Sequence, residues 1–115
     1  METFRFLQFP VYSQAKEIYK QILTLTNSLR NDNAIRDQLR RAALSIILNI
    51  AEGSAKKSDR EFARYLQISL GSVNETVACL DIMACTGLLD LYNKIKLMSE
   101  LESIAKQLGG FIKKL

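Results

Sequence analysis

Apolar residues in this chain recur at steps of three and four along nearly its whole length, and only one proline and five glycines interrupt them. That spacing sets one apolar stripe along each of several helices. A β-sandwich or barrel needs many tight turns and is excluded by the same scarcity of turn formers. The chain has 115 residues, which suits a single domain spanning 1–115. At that size roughly two-thirds of the unfolded surface can be buried, and an apolar content of 48% argues against disorder. The expected fold class is all-α, an antiparallel up-down-up-down four-helix bundle.

Residues 1–10 read as a lead-in lying across the bundle, because Phe4, Phe6, Leu7 and Phe9 are apolar; Pro10 suits a first helical turn. A first helix is predicted from about Val11 to Leu29, with Ala15, Ile18, Tyr19, Ile22, Leu25 and Leu29 inward. Arg30-Asn31-Asp32-Asn33 should reverse the chain. A second helix should run from about Ala34 to Glu52, with Leu39, Ala43, Ile46 and Ile50 inward and Gly53 as its C-terminal stop. Ser58-Asp59-Arg60-Glu61 reads as a capping box opening a third helix that lasts to about Thr86, with Gly87 ending it. Its stripe is Phe62, Leu66, Ser69, Val73, Thr76/Val77, Leu80 and Ala84. A fourth helix is expected from about Tyr92 to Leu108 on Ile95, Met98, Leu101, Ala105 and Leu108, weakened after that by Gly109-Gly110.

Helices 2 and 3 carry apolar residues away from these stripes. On a helical wheel Leu44 and Leu48 lie about 140° and 180° from the helix 2 core, and Ile47 about 80°. On helix 3, Ile68, Gly71, Ala78 and Ile82 lie opposite Phe62 and Leu80. A bundle that works alone places charge there. Leu44, Ile47, Leu48, Ile68 and Ile82 are therefore expected to form a contact between copies.

The charge is uneven as well. Lys and Arg number 16 against 12 Asp and Glu, a formal +4. Arg36, Arg40, Arg41, Lys56, Lys57, Arg60 and Arg64 face only Asp37, Glu52, Asp59 and Glu61 within that stretch, so most of the excess lies there. Repeated around an oligomer, such a patch meets a polyanion multivalently. Aromatic residues interleaved with the cations are not evident in the sequence, which speaks against readout of a particular base order.

Signs of catalysis are scarce. There is no histidine, so the commonest general base and metal ligand is missing. Cys79 and Cys85 lack zinc-site spacing. On one helix they would lie about 9 Å apart along the axis, beyond disulfide reach of about 7 Å. Free thiols suit a reducing cytoplasm. No phosphate-cradling glycine loop occurs. Glu52 and Glu75 are expected to pair with Arg41 or another arginine. The N-terminus lacks a signal-peptide pattern, and no window gives about 18 uninterrupted apolar residues. The expectation is a cytoplasmic, non-enzymatic protein without cofactor, metal or membrane association.

Gln38-Leu39-Arg40-Arg41-Ala42-Ala43, Ser45-Ile46 and Asn49-Ile50-Ala51-Glu52-Gly53 resemble the helix 2 signature of the four-helix-bundle proteins encoded by intervening sequences in bacterial 23S ribosomal RNA genes. Glu61-Phe62, Tyr65-Leu66, Ile68, Gly71-Ser72 and Glu75 extend the likeness into helix 3. The resemblance implies a four-helix bundle and a pentameric assembly. It extends to the accessory variability protein of diversity-generating retroelements, a basic pentamer that partners a reverse transcriptase and binds nucleic acid. Arg40 and Arg41 fall on the shared motif and become expected nucleic-acid contacts by resemblance. Lys56, Lys57, Arg60 and Arg64 join them on charge position alone. The expected function is electrostatic binding of RNA or DNA by an oligomer; the alternative is a scaffold that docks a partner such as a reverse transcriptase.

Overall fold

In a computed structural model, residues 3–30 and 33–115 are described. Asn31 and Asp32 of the expected turn, and Met1 and Glu2 of the lead-in, lie outside the described residues. Among those described there is a short 3-10 turn, η1 (Arg5–Gln8), and four helices: α1 (Pro10–Leu25), α2 (Ala34–Ser54), α3 (Asp59–Cys85) and α4 (Leu91–Lys113). There is no strand among them.

Each start has a local cause. Pro10 occupies the first turn of α1. Asn33 accepts from the Arg36 amide, Ser58 from the Glu61 amide and Asp90 from the Asn93 amide, so α2, α3 and α4 each open on a side-chain cap. The capping box at Ser58 is formed on one side: the Glu61 carboxylate pairs with Arg64 at 3.5 Å. Gly87, with φ +81, follows the Thr86 cap that ends α3.

The helices pack as a bundle around a single core cluster that includes Ile18, Ile22, Leu39, Ile46, Phe62, Leu66, Leu80, Leu97, Leu101 and Ile104. Gln38 meets Glu75, Ser45 meets Ser72 and the Ile46 carbonyl meets Ser69, so α2 and α3 run antiparallel. Gln21 bonds Glu100 while Gln14 bonds Gln107, so α1 and α4 do the same. α3 is long and apolar enough to cross a membrane by length and mean hydropathy. Its stripe from Phe62 to Met83 is packed inside the bundle, and a core helix passes the same test.

Four expectations need correction. α1 stops at Leu25, not Leu29, because Thr26 caps it and Arg40 from α2 donates to the Leu23 carbonyl and to the Thr26 hydroxyl. Gly53 does not end α2. It lies inside the helix, where a Cβ would stand 2.7 Å from the Tyr65 Cβ and 3.0 Å from the Phe62 ring. Its role is close approach to α3. Gly109 and Gly110 do not end α4 either. Phe111, packed against Phe9 and Phe62 at 5.1 Å between ring centroids, holds the helix beyond them, so tertiary packing outweighs propensity. Finally, α4 buries Leu97, Leu101, Ile104 and Leu108, while Ile95 is 60% exposed.

Gly53→Ala should lower stability by about 1–3 kcal/mol, since backbone-anchored Tyr65 cannot yield to the new methyl. Gly109→Ala, where a Cβ meets nothing within 4 Å, should raise it by roughly 0.5–1 kcal/mol. Urea unfolding of the two variants against the parent checks both signs.

Candidate nucleic-acid interface

The antiparallel packing brings the start of α1, the turn between α2 and α3, and the finish of α4 to one end of the bundle. A cluster of phenylalanines ties them there. Phe9 stacks on Phe62 at 6.3 Å, and Phe111 meets both edge-on. Arg5 of η1 lies over the Phe9 and Phe62 rings and donates to the Ser54 carbonyl at 3.2 Å. The lead-in thus docks onto the last turn of α2, as its apolar residues predict, although Phe4 and Leu7 stay about half exposed.

The structure groups four of the expected nucleic-acid contacts at this end. Lys56 and Arg64 both lie 4.9 Å from the centre of the Tyr65 ring. Lys57 and Arg60 are exposed in the turn and the first turn of α3. Arg5, Lys113 and Lys114 converge on the same end, and sequence reasoning missed them because they are far apart in the chain. Against these cations stand Glu52, Asp59 and Glu61. Tyr65 was missed as well. An aromatic ring does sit among the cations, next to Arg64 in the sequence.

Arg40 and Arg41 are not part of this cluster. About 15 residues of helix separate Arg41 from Lys56, roughly 22 Å. Arg40 is occupied structurally: its Nε donates to Thr26 Oγ1 at 2.9 Å and its Nη2 to the Leu23 carbonyl at 3.4 Å. Thr26 in turn donates to the Ile22 carbonyl at 2.6 Å. A cation is well placed at a helix C-terminus, where the last carbonyls lack partners. Arg41 is exposed beside Gln38, Ser45, Ser72 and Glu75 in the groove between α2 and α3. Glu75 accepts from Gln38 rather than from Arg41, because Gln38 faces it directly across the helix pair.

Of the five aliphatics expected on the outer face, Leu48, Ile68 and Ile82 are 54%, 42% and 48% exposed. Leu44 is half-buried. Ile47 departs from expectation. It is only 6% exposed and belongs to the core, because its 80° offset still falls on the inward half of the helix. Among the described residues, Leu91 and Tyr92 at the start of α4 are the most exposed large apolar side chains, at 67% and 75%.

Among the described residues, no group of three or more Cys, Asp or Glu could hold a metal ion. Cys79 is buried and Cys85 exposed, both as free thiols. Burial first, and then the nearby Glu75 carboxylate, push the Cys79 thiol above its ordinary range, which keeps it protonated and unreactive.

Two outcomes are expected. Arg40→Ala should cost about 1–3 kcal/mol in urea unfolding, because Thr26 and the end of α1 lose a charged donor, whereas Arg41→Ala should stay within about 0.5 kcal/mol. A thiol reagent in excess should label Cys85 on the folded protein and reach Cys79 only after denaturant is added, as mass spectrometry would show.

A solved structure from Bacteroides thetaiotaomicron VPI-5482, described as a protein with unknown function from the S23 ribosomal protein family, superposes with a TM-score of 0.82 at 24% sequence identity. The match covers 90% of this chain and 98% of that one, and it shows a common fold. No curated protein matches the chain significantly. A family model described as 23S rRNA-intervening sequence protein matches residues 8–110. That match runs from the end of η1 through α1, α2 and α3 and most of α4, and the chain belongs to the 23S rRNA-intervening sequence protein family.

Proposed function

We propose that this protein is a non-enzymatic oligomer, a pentamer by family resemblance, that binds RNA or DNA electrostatically. The observation that carries the reading is the gathering of Lys56, Lys57, Arg60 and Arg64 with Arg5, Lys113 and Lys114 at one end of the bundle. Lys57 and Arg60 make no ion pair among the described residues, so their charge is available to phosphates. Arg41 remains a secondary contact on the side of α2. Arg40 acts through the cap of α1, not on the ligand.

The exposed aliphatic face of α2 and α3 supports self-association. Leu48 and Ile68, with Leu44 and Ile82, would be covered by a neighbouring copy. A cyclic arrangement of copies repeats the basic end around one axis, and weak phosphate contacts then add. The scaffold reading, in which a protein such as a reverse transcriptase docks on the assembly, differs in not needing the lysines.

Light scattering at micromolar concentration should give an oligomer mass, and Leu48→Glu should lower that mass while leaving helicity intact; a monomer mass for the parent protein overturns self-association. Affinity for a mixed-sequence RNA should fall at least tenfold between 50 and 200 mM salt, because each neutralised phosphate releases a counterion. The pair Lys56→Glu/Lys57→Glu should abolish binding. Affinity that ignores both salt and these substitutions overturns the nucleic-acid reading and favours the scaffold.

A further inference from the structure

Beside the basic end, the start of α1 and the end of α4 leave an open groove of about 430 Å³. Its lining includes Phe9, Val11, Gln107, Gly110, Phe111 and Lys114. That volume lies in the range of small-molecule sites, which are mostly apolar with a few placed polar groups. Phe9 and Phe111 meet edge-on at 5.1 Å, and both are half-buried and line the groove. Phe62 and Arg5 lie against the Phe9 ring, so Phe111 is the ring left for a base to meet. Gly110 contributes no side chain, and a Cβ built there meets nothing within 4 Å. The Gln107 Nε2 donates to Gln14 and Ser103, which fixes the amide and leaves its oxygen free to accept. Lys114 stands exposed at the rim.

We propose that this groove holds one unpaired nucleobase, so that the basic end takes single-stranded RNA in preference to duplex. The inference rests on the polyanion reading and adds a ligand class to it. A base stacks on aromatic faces whatever its identity, the Gln107 oxygen accepts from its N–H edge, and Lys114 meets the adjoining phosphate. Cations of the same end follow the strand away from the groove. A base held in a duplex cannot enter without leaving its stack and its partner.

The test uses the full chain and a mixed-sequence 12-nucleotide RNA carrying a 5′ dye, followed by fluorescence anisotropy in 50 mM salt. Three ligands are compared: the single strand, the same strand annealed to its complement, and an abasic 12-mer with equal phosphates. The single strand should bind roughly tenfold tighter than the other two, the size expected for one stacked base. Gly110→Leu fills the groove without removing a charge and improves helix propensity. It should remove that tenfold advantage and leave duplex affinity and its salt slope unchanged. Gly109→Ala, off the groove, should change nothing. Equal affinity for strand and duplex, a Gly110→Leu variant that binds like the parent, or an equal loss for both ligands overturns the base pocket while leaving phosphate binding in place. No binding of any of the three ligands overturns both readings.

Discussion

Ser69 on α3 donates to the Ile46 carbonyl of α2 at 2.8 Å, a hydrogen bond that ties the two helices backbone to side chain. The same seam holds Ala42, Ser45, Ser72 and Gly53. Small residues let two backbones approach closely, and each buried hydroxyl then finds a carbonyl or another hydroxyl nearby, which avoids the cost of burying a polar group alone. Thr76 does this within its own helix, donating to the Ser72 carbonyl at 2.7 Å. The paired α2 and α3 form the half of the bundle against which α1 and α4 settle.

That seam decides where the larger side chains go. With small residues between the two helices, bulky aliphatics have room only toward α1 and α4 or toward the outside. Leu39, Ile46, Ile50, Leu66 and Leu80 go inward. Leu48, Ile68 and Ile82 are left outside. The opposite problem arises at the end of the bundle. There the chain turns at Lys56 and Lys57, and the aromatic cluster of Phe9, Phe62 and Phe111 seals the core beneath a layer of cations. The proposed activities use these two leftovers of folding, an apolar flank and a charged end.

Much of this was legible in the sequence. The stripes of α1, α2 and α3 follow steps of three and four closely enough to name most buried residues, and the Ser58 cap and Gly87 terminus follow from local chemistry. The α4 stripe was misread for a geometric reason. Ile95, Met98 and Leu101 are joined by two successive steps of three, each rotating backward by about 60°, so the row drifts across the helix surface. Leu97, Leu101, Ile104 and Leu108 drift less and win the core. The glycines were misjudged because propensity describes an isolated helix, whereas Gly53 answers to Tyr65 and Gly110 to the packing of Phe111. The basic end was half visible. Neighbours in the sequence such as Lys56 and Lys57 could be grouped, but Arg5 and Lys114 join them only through the return of the chain. Nothing in the spacing of α2 distinguished Arg40, held by Thr26, from Arg41, which is exposed.

The two thiols of the chain differ sharply in access, and the accessible one, Cys85, closes α3 at the tip remote from the lysine-rich turn. The 27 residues of that helix span roughly 40 Å, close to the 44 Å long axis of the whole molecule. A dye attached there rides on a rigid rod and reports distances by energy transfer from a known origin. Nature has in effect supplied a molecular ruler, one whose far mark coincides with the surface that phosphates would occupy.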